Sequence, residues 1–187
     1  VTLFSLLALE DSPERHLTRS KIYAKAKYPQ NTLPLPKVSS KPSKTIRIGY
    51  FSADFREHPV AYLIAKVLEQ HNRDEFEVFG YSLHCDAQSQ IRQRLVKSFD
   101  FFEDIQHMSD KDKVIQARQD KIDIAIDMTG YTDKNRGAIF AYRAAPIQIN
   151  FLGYPGTLGA GHVDYIVTDQ FLVPPENQKN FTEKQIY

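Results

Sequence analysis

Short apolar runs alternate with longer amphipathic segments along most of the chain. Six runs have the length and the β-branched or aromatic content of strands: Ile46–Phe51, Phe76–Tyr81, Phe99–Phe102, Ile122–Asp127, Ile147–Leu152 and Tyr165–Thr168. Helical patterns separate them, at residues 59–71, 88–97, 110–119 and 134–143. Strands that alternate with helices indicate an α/β fold, and we predict a doubly wound, mostly parallel sheet with helices on both faces.

The helix that begins at Pro59 has the clearest amphipathic pattern. Proline suits the first turn of a helix, because it lacks the N–H group that would go unpaired there. The apolar residues recur at the i, i+3, i+4, i+7 spacing of one helical face: Val60, Leu63, Ile64, Val67 and Leu68. We predict that this stripe packs against the sheet as core.

The first 43 residues differ in character from the rest. Residues 12–28 have the pattern of a helix that opens at Ser12 and Pro13, and we assign residues 1–29 to a helical segment. Residues 30–43 are rich in proline and serine and have no hydrophobic period, which predicts an extended linker. The globular domain is then expected over residues 44–187. Because the chain opens with Val1 rather than methionine, we interpret it as a piece of a longer protein.

Composition narrows the classes of function. The 187 residues carry a formal net charge of +1, which offers no electrostatic attraction to nucleic acid or to an anionic membrane. The apolar start is soon followed by Glu10 and Asp11, and no run approaches the roughly 18 apolar residues of a membrane span. Cys85 is the one cysteine, so an internal disulfide is excluded and we expect a cytoplasmic protein.

The motifs of several common chemistries are absent from the sequence. It contains no Gly-x-Gly-x-x-Gly, no Gly-x-x-x-x-Gly-Lys-Ser/Thr and no Gly-x-Ser-x-Gly, which argues against dinucleotide redox, P-loop and serine hydrolase chemistry. Four histidines share no metal-ligand spacing and are interpreted as surface or packing residues: His71, His84, His107 and His162. We expect no metal site.

A rigid loop follows the predicted strand after Pro146. Glycine lets the backbone approach a ligand closely, and proline fixes one turn dihedral. A loop at the carboxyl end of a strand is where an open α/β sheet binds its ligand. The alternative is a tight surface turn between two elements. The loop consists of Gly153, Tyr154, Pro155, Gly156 and Thr157.

His58 lies between the first predicted strand and the helix that begins at Pro59. An imidazole at a helix N-terminus on the carboxyl edge of the sheet could hydrogen-bond a ligand; the alternative is that His58 only precaps the helix. Asp54 and Asp127 also lie near strand ends and could orient His58 or bind ligand hydroxyls. The simpler interpretation is an Asx turn or helix cap for Asp54 and a strand-end polar residue for Asp127.

A third strand end is followed by Gly130, Tyr131 and Thr132. Gly130 permits an unusual backbone angle, and Thr132 could either bind a substrate or cap the next helix. Arg136 and Arg143 stand seven residues apart, which places them on one face of a predicted helix. A guanidinium can reach a phosphate, but local ion pairs on a solvated face are the simpler interpretation.

Three sequence motifs occur in collinear order: Ala145-Pro146-Ile147-Gln148, Leu152 through Thr157, and Asp164 through Asp169. Together they resemble the O-GlcNAc transferase/SPINDLY family of protein glycosyltransferases, over about residues 44–187. The family has the two-domain GT-B fold, with the active site between two Rossmann-like halves. The resemblance implies that residues 44–187 are the N-terminal half, and that residues 1–29 resemble the end of the tetratricopeptide repeats that precede it in bacterial members. A C-terminal Rossmann-like half and the helical repeats would then be partners of this segment.

The resemblance also implies roles for individual residues. The family's histidine before proline lies in the active site, so His58 is expected to be catalytic. Tyr131 stands where other members carry histidine, which speaks against a two-histidine mechanism, and Ala144 stands where the family usually has proline. Substrate binding is implied for the family's two glycine motifs: Tyr131, Thr132, Gly153, Tyr154, Pro155, Gly156 and Thr157.

A reaction follows from the same resemblance. We expect inverting transfer of GlcNAc from UDP-GlcNAc to Ser/Thr hydroxyls of a protein or peptide, with the donor as substrate and no cofactor. Because the family's donor pocket and catalytic lysine belong mostly to the second half, we expect the 187-residue fragment to fold but to be inactive. Two alternatives stay open: a non-catalytic Rossmann-like binding module, and an O-fucosyltransferase of the SPINDLY type.

Overall fold

A computed structural model describes residues 1–28, 44–84 and 89–187. Two helices come first, α1 (Leu3–Leu9) and α2 (Pro13–Lys27). Strands and helices then alternate: β1 (Ile46–Ser52), α3 (Pro59–Glu69), β2 (Phe76–Ser82), α4 (Gln90–Ser98), β3 (Phe101–Asp104), α5 (Asp110–Gln119), β4 (Ile124–Asp127), α6 (Ala138–Ala141), β5 (Ile147–Asn150), β6 (Tyr165–Val167), a 3-10 helix (Pro175–Asn180) and β7 (Lys184–Ile186).

The strands of the described residues form one sheet in the order β3-β2-β1-β4-β5-β6-β7. Every neighbouring pair is parallel, which confirms the predicted α/β architecture. The order of the strands reverses at β1, because the chain builds outward to β3 and then returns to place β4 on the other side of β1. All loops that follow strands therefore gather at the carboxyl edge, and a crevice opens where β1 and β4 are neighbours.

Each face of the sheet has its own core. Successive strand residues point to opposite faces, so Tyr50 packs under α3 and α4 while Phe51 packs under α5 and α6. The rings of Phe51 and Tyr81 stack with centroids 4.5 Å apart, and the ring of Phe140 meets Phe51 edge-on at 5.5 Å. The sheet is thus covered on both faces, as a doubly wound fold requires.

The predicted core stripe of α3 is wrong at two positions. Leu63 and Val67 are 63% and 45% exposed. The face that packs on the sheet instead contains Ala61 and Ala65, both fully buried, together with Ile64. Alanine lets a helix approach a sheet closely, so the helix is rotated toward its small residues and away from the larger ones.

Other elements differ in extent from their predicted limits. The third strand is Phe101–Asp104 rather than the preceding aromatic run, and the predicted helix over 134–143 shortens to α6, Ala138–Ala141. The 3-10 helix and β7 have no counterpart in the predicted pattern. The predicted linker, 30–43, lies outside the described residues. Among the helices of the described ranges, none is long and apolar enough to cross a membrane.

Lys113 is a buried cation on α5. Its side chain is fully buried, and within the described residues its Nζ makes no hydrogen bond. The nearest carboxylate is that of Asp110 at 3.8 Å, which Arg136 also contacts at 2.6 Å. Burial lowers the pKa of Lys113 to about 8, and the charge of Arg136 acts in the same direction.

We expect Lys113→Met to stabilise the chain at neutral pH, because it removes a buried and poorly compensated charge while keeping the apolar stem. The pKa of Lys113 is lower in the folded than in the unfolded chain, so its penalty is fully present below about pH 8 and disappears as the pH rises toward the unfolded value. Urea unfolding should give a variant that is on the order of 1–3 kcal/mol more stable at pH 7. This advantage should shrink by pH 10; an advantage that does not change with pH would contradict a buried charge.

Candidate functional site

Three loops lie side by side at the carboxyl edge of the sheet, where the strand order reverses. We call them the β1 loop (Ala53–His58), the β4 loop (Met128–Gly137) and the β5 loop (Phe151–Asp164). The N–H of Ala53 donates to Thr129 Oγ1 at 3.3 Å, which joins the β1 and β4 loops. Gly153 of the β5 loop lies directly against the carbonyl of Met128. The structure therefore brings the three predicted loop regions into one continuous surface.

His58 is the N-cap residue of α3. Its Nδ1 accepts the N–H of Val60 at 3.3 Å, so the predicted capping role is confirmed. This bond assigns the proton of the neutral imidazole to Nε2, on the opposite side of the ring. The side chain is 33% exposed. Capping and ligand contact therefore use different nitrogens and do not exclude each other.

Asp54 supports the same loop from within. Its buried carboxylate accepts from Arg56 Nη2 at 3.0 Å and lies 3.7 Å from His58 Nδ1. Arg56 Nε also donates to the carbonyl of Ala53, and Ser52 Oγ accepts the N–H of Asp54. The Asx-turn or cap interpretation of Asp54 is thus wrong, because its oxygens face the side chains of Arg56 and His58.

Asp127 holds the turn that starts the β4 loop. One carboxylate oxygen accepts the N–H groups of Thr129 and Gly130, at 2.9 and 3.0 Å. Burial raises the pKa of Asp127 above its usual value, and the two N–H donors oppose this shift. Asp127 is the last residue of β4, so its interpretation as a strand-end polar residue is confirmed, and its role in the turn is an addition from the structure.

Two glycines allow the β4 and β5 loops to interlock. Gly130 has φ of 53°, and a Cβ there would lie 2.4 Å from Cβ of Tyr154. A Cβ on Gly153 would lie 2.0 Å from the carbonyl oxygen of Met128. Leu152, directly before Gly153, has φ of 77°, and the N–H of Gly153 donates to the carbonyl of Phe151. This is the pattern of a strained γ-turn. The glycines are needed for close approach of backbone to backbone.

Several predicted substrate-binding side chains are engaged in packing. Tyr131 and Tyr154 are buried, and the hydroxyl of Tyr131 donates to the carbonyl of Leu158 at 2.6 Å. Thr157 is buried too, and its Oγ1 donates to the buried carboxylate of Glu183 at 2.6 Å. A substrate contact by these three residues would therefore have to come from the backbone.

Two of the remaining members of the predicted glycine motifs are less enclosed. Thr132 and Pro155 are partly exposed, whereas Gly156 is buried beneath the ring of Tyr154. Thr132 Oγ1 donates to the carbonyl of Thr129, so its hydroxyl supports the β4 loop rather than the start of a helix. The predicted capping alternative for Thr132 is wrong, since α6 begins only at Ala138.

An aromatic cluster joins α2 to the β4 and β5 loops. The ring of Tyr131 lies between Tyr23, at 4.9 Å, and Tyr154, at 5.4 Å. Tyr28 stacks on Tyr131 at 6.2 Å and its hydroxyl donates to Asn135 at 3.2 Å. The helical segment is therefore part of the support of the site. The contacts of Tyr23 and Tyr28 were not predicted, because nothing in a helical pattern indicates contacts about a hundred residues away.

A groove of about 800 Å³ lies between the N-terminal helices and the β4 loop. Its walls are mostly apolar, and Phe4 and Ile22 expose 48% and 64% of their surface. The β4 loop supplies the polar residues Thr132 and Lys134, and α2 supplies Arg19. The groove is open, adjoins the crevice loops, and has room for an extended peptide.

The other polar candidates are bound locally. Arg136 pairs with Asp110 at 2.6 Å, and Arg143 pairs with Asp164 at 2.7 Å, so the ion-pair interpretation is confirmed. The two arginines do not share a helix, because α6 ends at Ala141. Burial lowers the pKa of His162 to about 4. Across residues 1–28, 44–84 and 89–187, no three His, Cys, Asp or Glu side chains are grouped so that they could hold a metal ion.

Fold and loop arrangement together define a Rossmann-like α/β unit with a crevice at the β1, β4 and β5 loops. The chain belongs to glycosyltransferase family 41, whose sequence profile matches residues 15–187. The family resemblance inferred from the sequence is confirmed.

Named relatives agree with this assignment. The chain is 39% identical over 184 residues to the probable UDP-N-acetylglucosamine–peptide N-acetylglucosaminyltransferase SEC of Arabidopsis thaliana, covering 97% of this chain and 19% of SEC. It is 35% identical over 148 residues to the Arabidopsis SPINDLY protein of the same enzyme name, covering 78% of this chain and 16% of the relative. A mutant of the Thermobaculum terrenum O-GlcNAc transferase superposes with a TM-score of 0.86 and 32% identity, over 94% of this chain and 34% of that chain. The chain thus spans about a fifth or less of these curated relatives and a third of the solved structure.

We expect Gly153→Ala to destabilise the chain, because its Cβ would collide with the main chain of Met128. Main-chain atoms cannot move aside as the end of a flexible side chain could. The loss should be about 2–4 kcal/mol in urea unfolding. Gly161→Ala is the matched control in the same loop, since a Cβ there meets nothing within 4 Å. Equal effects of the two substitutions would contradict the interlock between the β4 and β5 loops.

Proposed function

We propose that this chain is the acceptor-side half of an inverting protein O-glycosyltransferase, which transfers GlcNAc from UDP-GlcNAc to Ser/Thr hydroxyls. The observation that carries the proposal is the convergence of the β1, β4 and β5 loops at the strand-order reversal of a family 41 chain. The relatives named after SEC and SPINDLY both carry UDP-N-acetylglucosamine–peptide transferase names, which supports this donor over a fucose donor.

His58 is the residue of this half that we assign to the reaction. Its Nδ1 is occupied by the N–H of Val60, so the neutral ring presents an Nε2–H donor. Such a donor can bind an oxygen that gains charge as the donor sugar's C1–O bond to the diphosphate breaks and the bond to the acceptor oxygen forms. The diphosphate leaves with the electron pair, and the proton of the acceptor hydroxyl passes to the leaving diphosphate. In this tautomer His58 supplies a hydrogen bond and does not remove the acceptor proton.

Asp54 lies beside the same histidine. Its carboxylate is 3.7 Å from Nδ1, which is too far for a hydrogen bond. Arg56 shares that carboxylate and offsets its charge. The pair keeps His58 oriented while leaving Nε2 free for the substrate.

The acceptor polypeptide is assigned to the groove between α1, α2 and the β4 loop. The groove adjoins the crevice, its walls are apolar, and the exposed side chains of Phe4 and Ile22 can pack against acceptor residues. Backbone groups of the β4 loop lie along the same wall. This placement puts the acceptor on the half-domain described here and leaves the other side of the crevice to the donor.

The first test separates catalysis by His58 from capping. In the full-length protein, His58→Ala should lower kcat/KM by about 10²–10⁴-fold and cost about 1 kcal/mol of stability through loss of the cap. His58→Asn is the matched control, because its side-chain oxygen can still accept from Val60 while no Nε2–H remains. The asparagine variant should recover the melting temperature but not the activity. If turnover returned together with stability, His58 would be a structural residue.

The second test addresses the groove. In the full-length protein, Ile22→Glu should raise KM for a protein acceptor by about tenfold, because a charge replaces an exposed apolar contact worth roughly 1–2 kcal/mol. Donor hydrolysis without acceptor should stay at its normal rate. Leu9→Glu is the control, since Leu9 is 73% exposed and does not line the groove. An unchanged KM for Ile22→Glu would exclude the groove as the acceptor site.

The third test concerns the chain by itself. Because the proposal gives it only the acceptor side of the site, the 187-residue chain should fold but transfer no sugar. Mass spectrometry of acceptor peptides after incubation with UDP-GlcNAc or GDP-fucose is the measurement. The same assay on the full-length protein identifies the donor. Transfer by the 187-residue chain alone would refute the assignment as a half site.

A further inference from the structure

Arg92 is a buried cation that is not part of the crevice loops. It extends from α4, and its side chain is only 7% exposed. Its Nη2 contacts the carboxylate of Asp104, at the end of β3, at 2.6 Å. The guanidinium also lies over the ring of Phe102, 5.0 Å from its centroid. These contacts place the charge at the carboxyl edge of the sheet, on the α3 and α4 side.

The other terminal nitrogen of the Arg92 guanidinium group contacts the β1 loop. Nη1 donates to the main-chain carbonyl of Phe55 at 2.8 Å and to Ser82 Oγ at 3.2 Å. Phe55 stands three residues before His58, and its fully buried ring packs against Phe99 with centroids 5.3 Å apart. The middle of the β1 loop is therefore fixed by a buried ring and by a charge-assisted hydrogen bond.

Each contact of Arg92 contributes something different. Asp104 is 40% exposed and balances the charge, whereas the Phe55 carbonyl depends on the direction of Nη1. The planar guanidinium holds both partners at fixed angles, which a lysine with its single ammonium cannot do. Without the guanidinium group, the Phe55 carbonyl would lose its buried donor. The segment of the β1 loop from Phe55 to His58 would then be less firmly held.

We propose that Arg92 is a positioning residue for His58, acting through the carbonyl of Phe55. This inference rests on the proposed role of His58 in sugar transfer. A group that binds the transition state must be held closely, and a displacement of about 1 Å can cost about 10²-fold in rate. Arg92 fixes the β1 loop from the side opposite to Thr129, so that the loop is held from both neighbouring elements.

The test is a double-mutant cycle in the full-length protein. Arg92→Lys should lower kcat by about 10–100-fold while KM for UDP-GlcNAc and for the acceptor stays near its normal value. In a His58→Ala background the same substitution should cause no further loss of kcat, because the residue it positions is gone. Thermal melting of every variant separates loss of fold from loss of rate.

Two controls distinguish this role from general support of the fold. Arg94 lies two residues further along α4 and pairs with Glu69 at the surface, so Arg94→Lys should leave both kcat and melting unchanged. Asp104→Asn removes the balancing charge but keeps an acceptor oxygen for Arg92, so it should lower the melting temperature and retain kcat.

The outcomes separate this inference from the proposed function. A normal kcat for Arg92→Lys, or an equal loss in both backgrounds, would overturn the positioning role and leave that of His58 intact. A normal kcat for His58→Ala would overturn the proposed function and this inference with it.

Discussion

The reversal of strand order between β1 and β4 is the constraint on which the site depends. The chain leaves β1 toward α3 on one face of the sheet and leaves β4 toward α6 on the other. No helix can then cover the edge between the two strands, and the loops diverge around an open crevice. The parallel register pairs Phe51 with Asp127, so both strands end at the same level. The β1 and β4 loops lie side by side because of this topology.

The N-terminal helices are the second support of the crevice. Their tyrosines enclose Tyr131, and the contacts of Tyr23 and Tyr154 with that ring are each of the kind worth about 0.5–1.5 kcal/mol beyond area burial. The hydroxyl of Tyr131 donates to Leu158, which ties the β4 loop to the β5 loop beneath the helices. A family motif that suggests substrate binding is here part of a small aromatic core, and the surface left for a substrate is formed by backbone and by Thr132.

Local signals account for what could be predicted from the sequence. The alternation of strands and helices predicted the sheet, and Pro59 predicted the start of α3. The glycines of the β4 and β5 loops predicted a close approach of the backbone to a ligand, whereas the structure shows the two loops packed against each other. The outward position of Leu63 could not be predicted, because hydrophobic spacing does not reveal that Ala61 and Ala65 allow the helix to rotate. Tyr28 and Asn135 lie 107 residues apart, and no local pattern connects them.

Arg92 illustrates the same limit for polar residues. Its position in a mostly polar helix is typical of a solvated residue, and only the packed structure shows the fork between Phe55 and Asp104. Buried charges are paired through groups that come from different elements, so their partners cannot be read from spacing along one helix. The β1 loop was visible in the sequence, but the contacts that hold it were not.

The interlock of Gly130 and Gly153 restricts how this fold can diversify. Each glycine is opposed by main-chain or Cβ atoms of the other loop, so neither loop can accept a larger residue on its own. New specificity at this crevice must then come from positions where side chains project freely, or from paired changes that move both loops together. If one loop is randomised at a time, almost all variants at these two positions should fail to fold. Libraries that vary both loops together could find loop conformations that no single substitution allows.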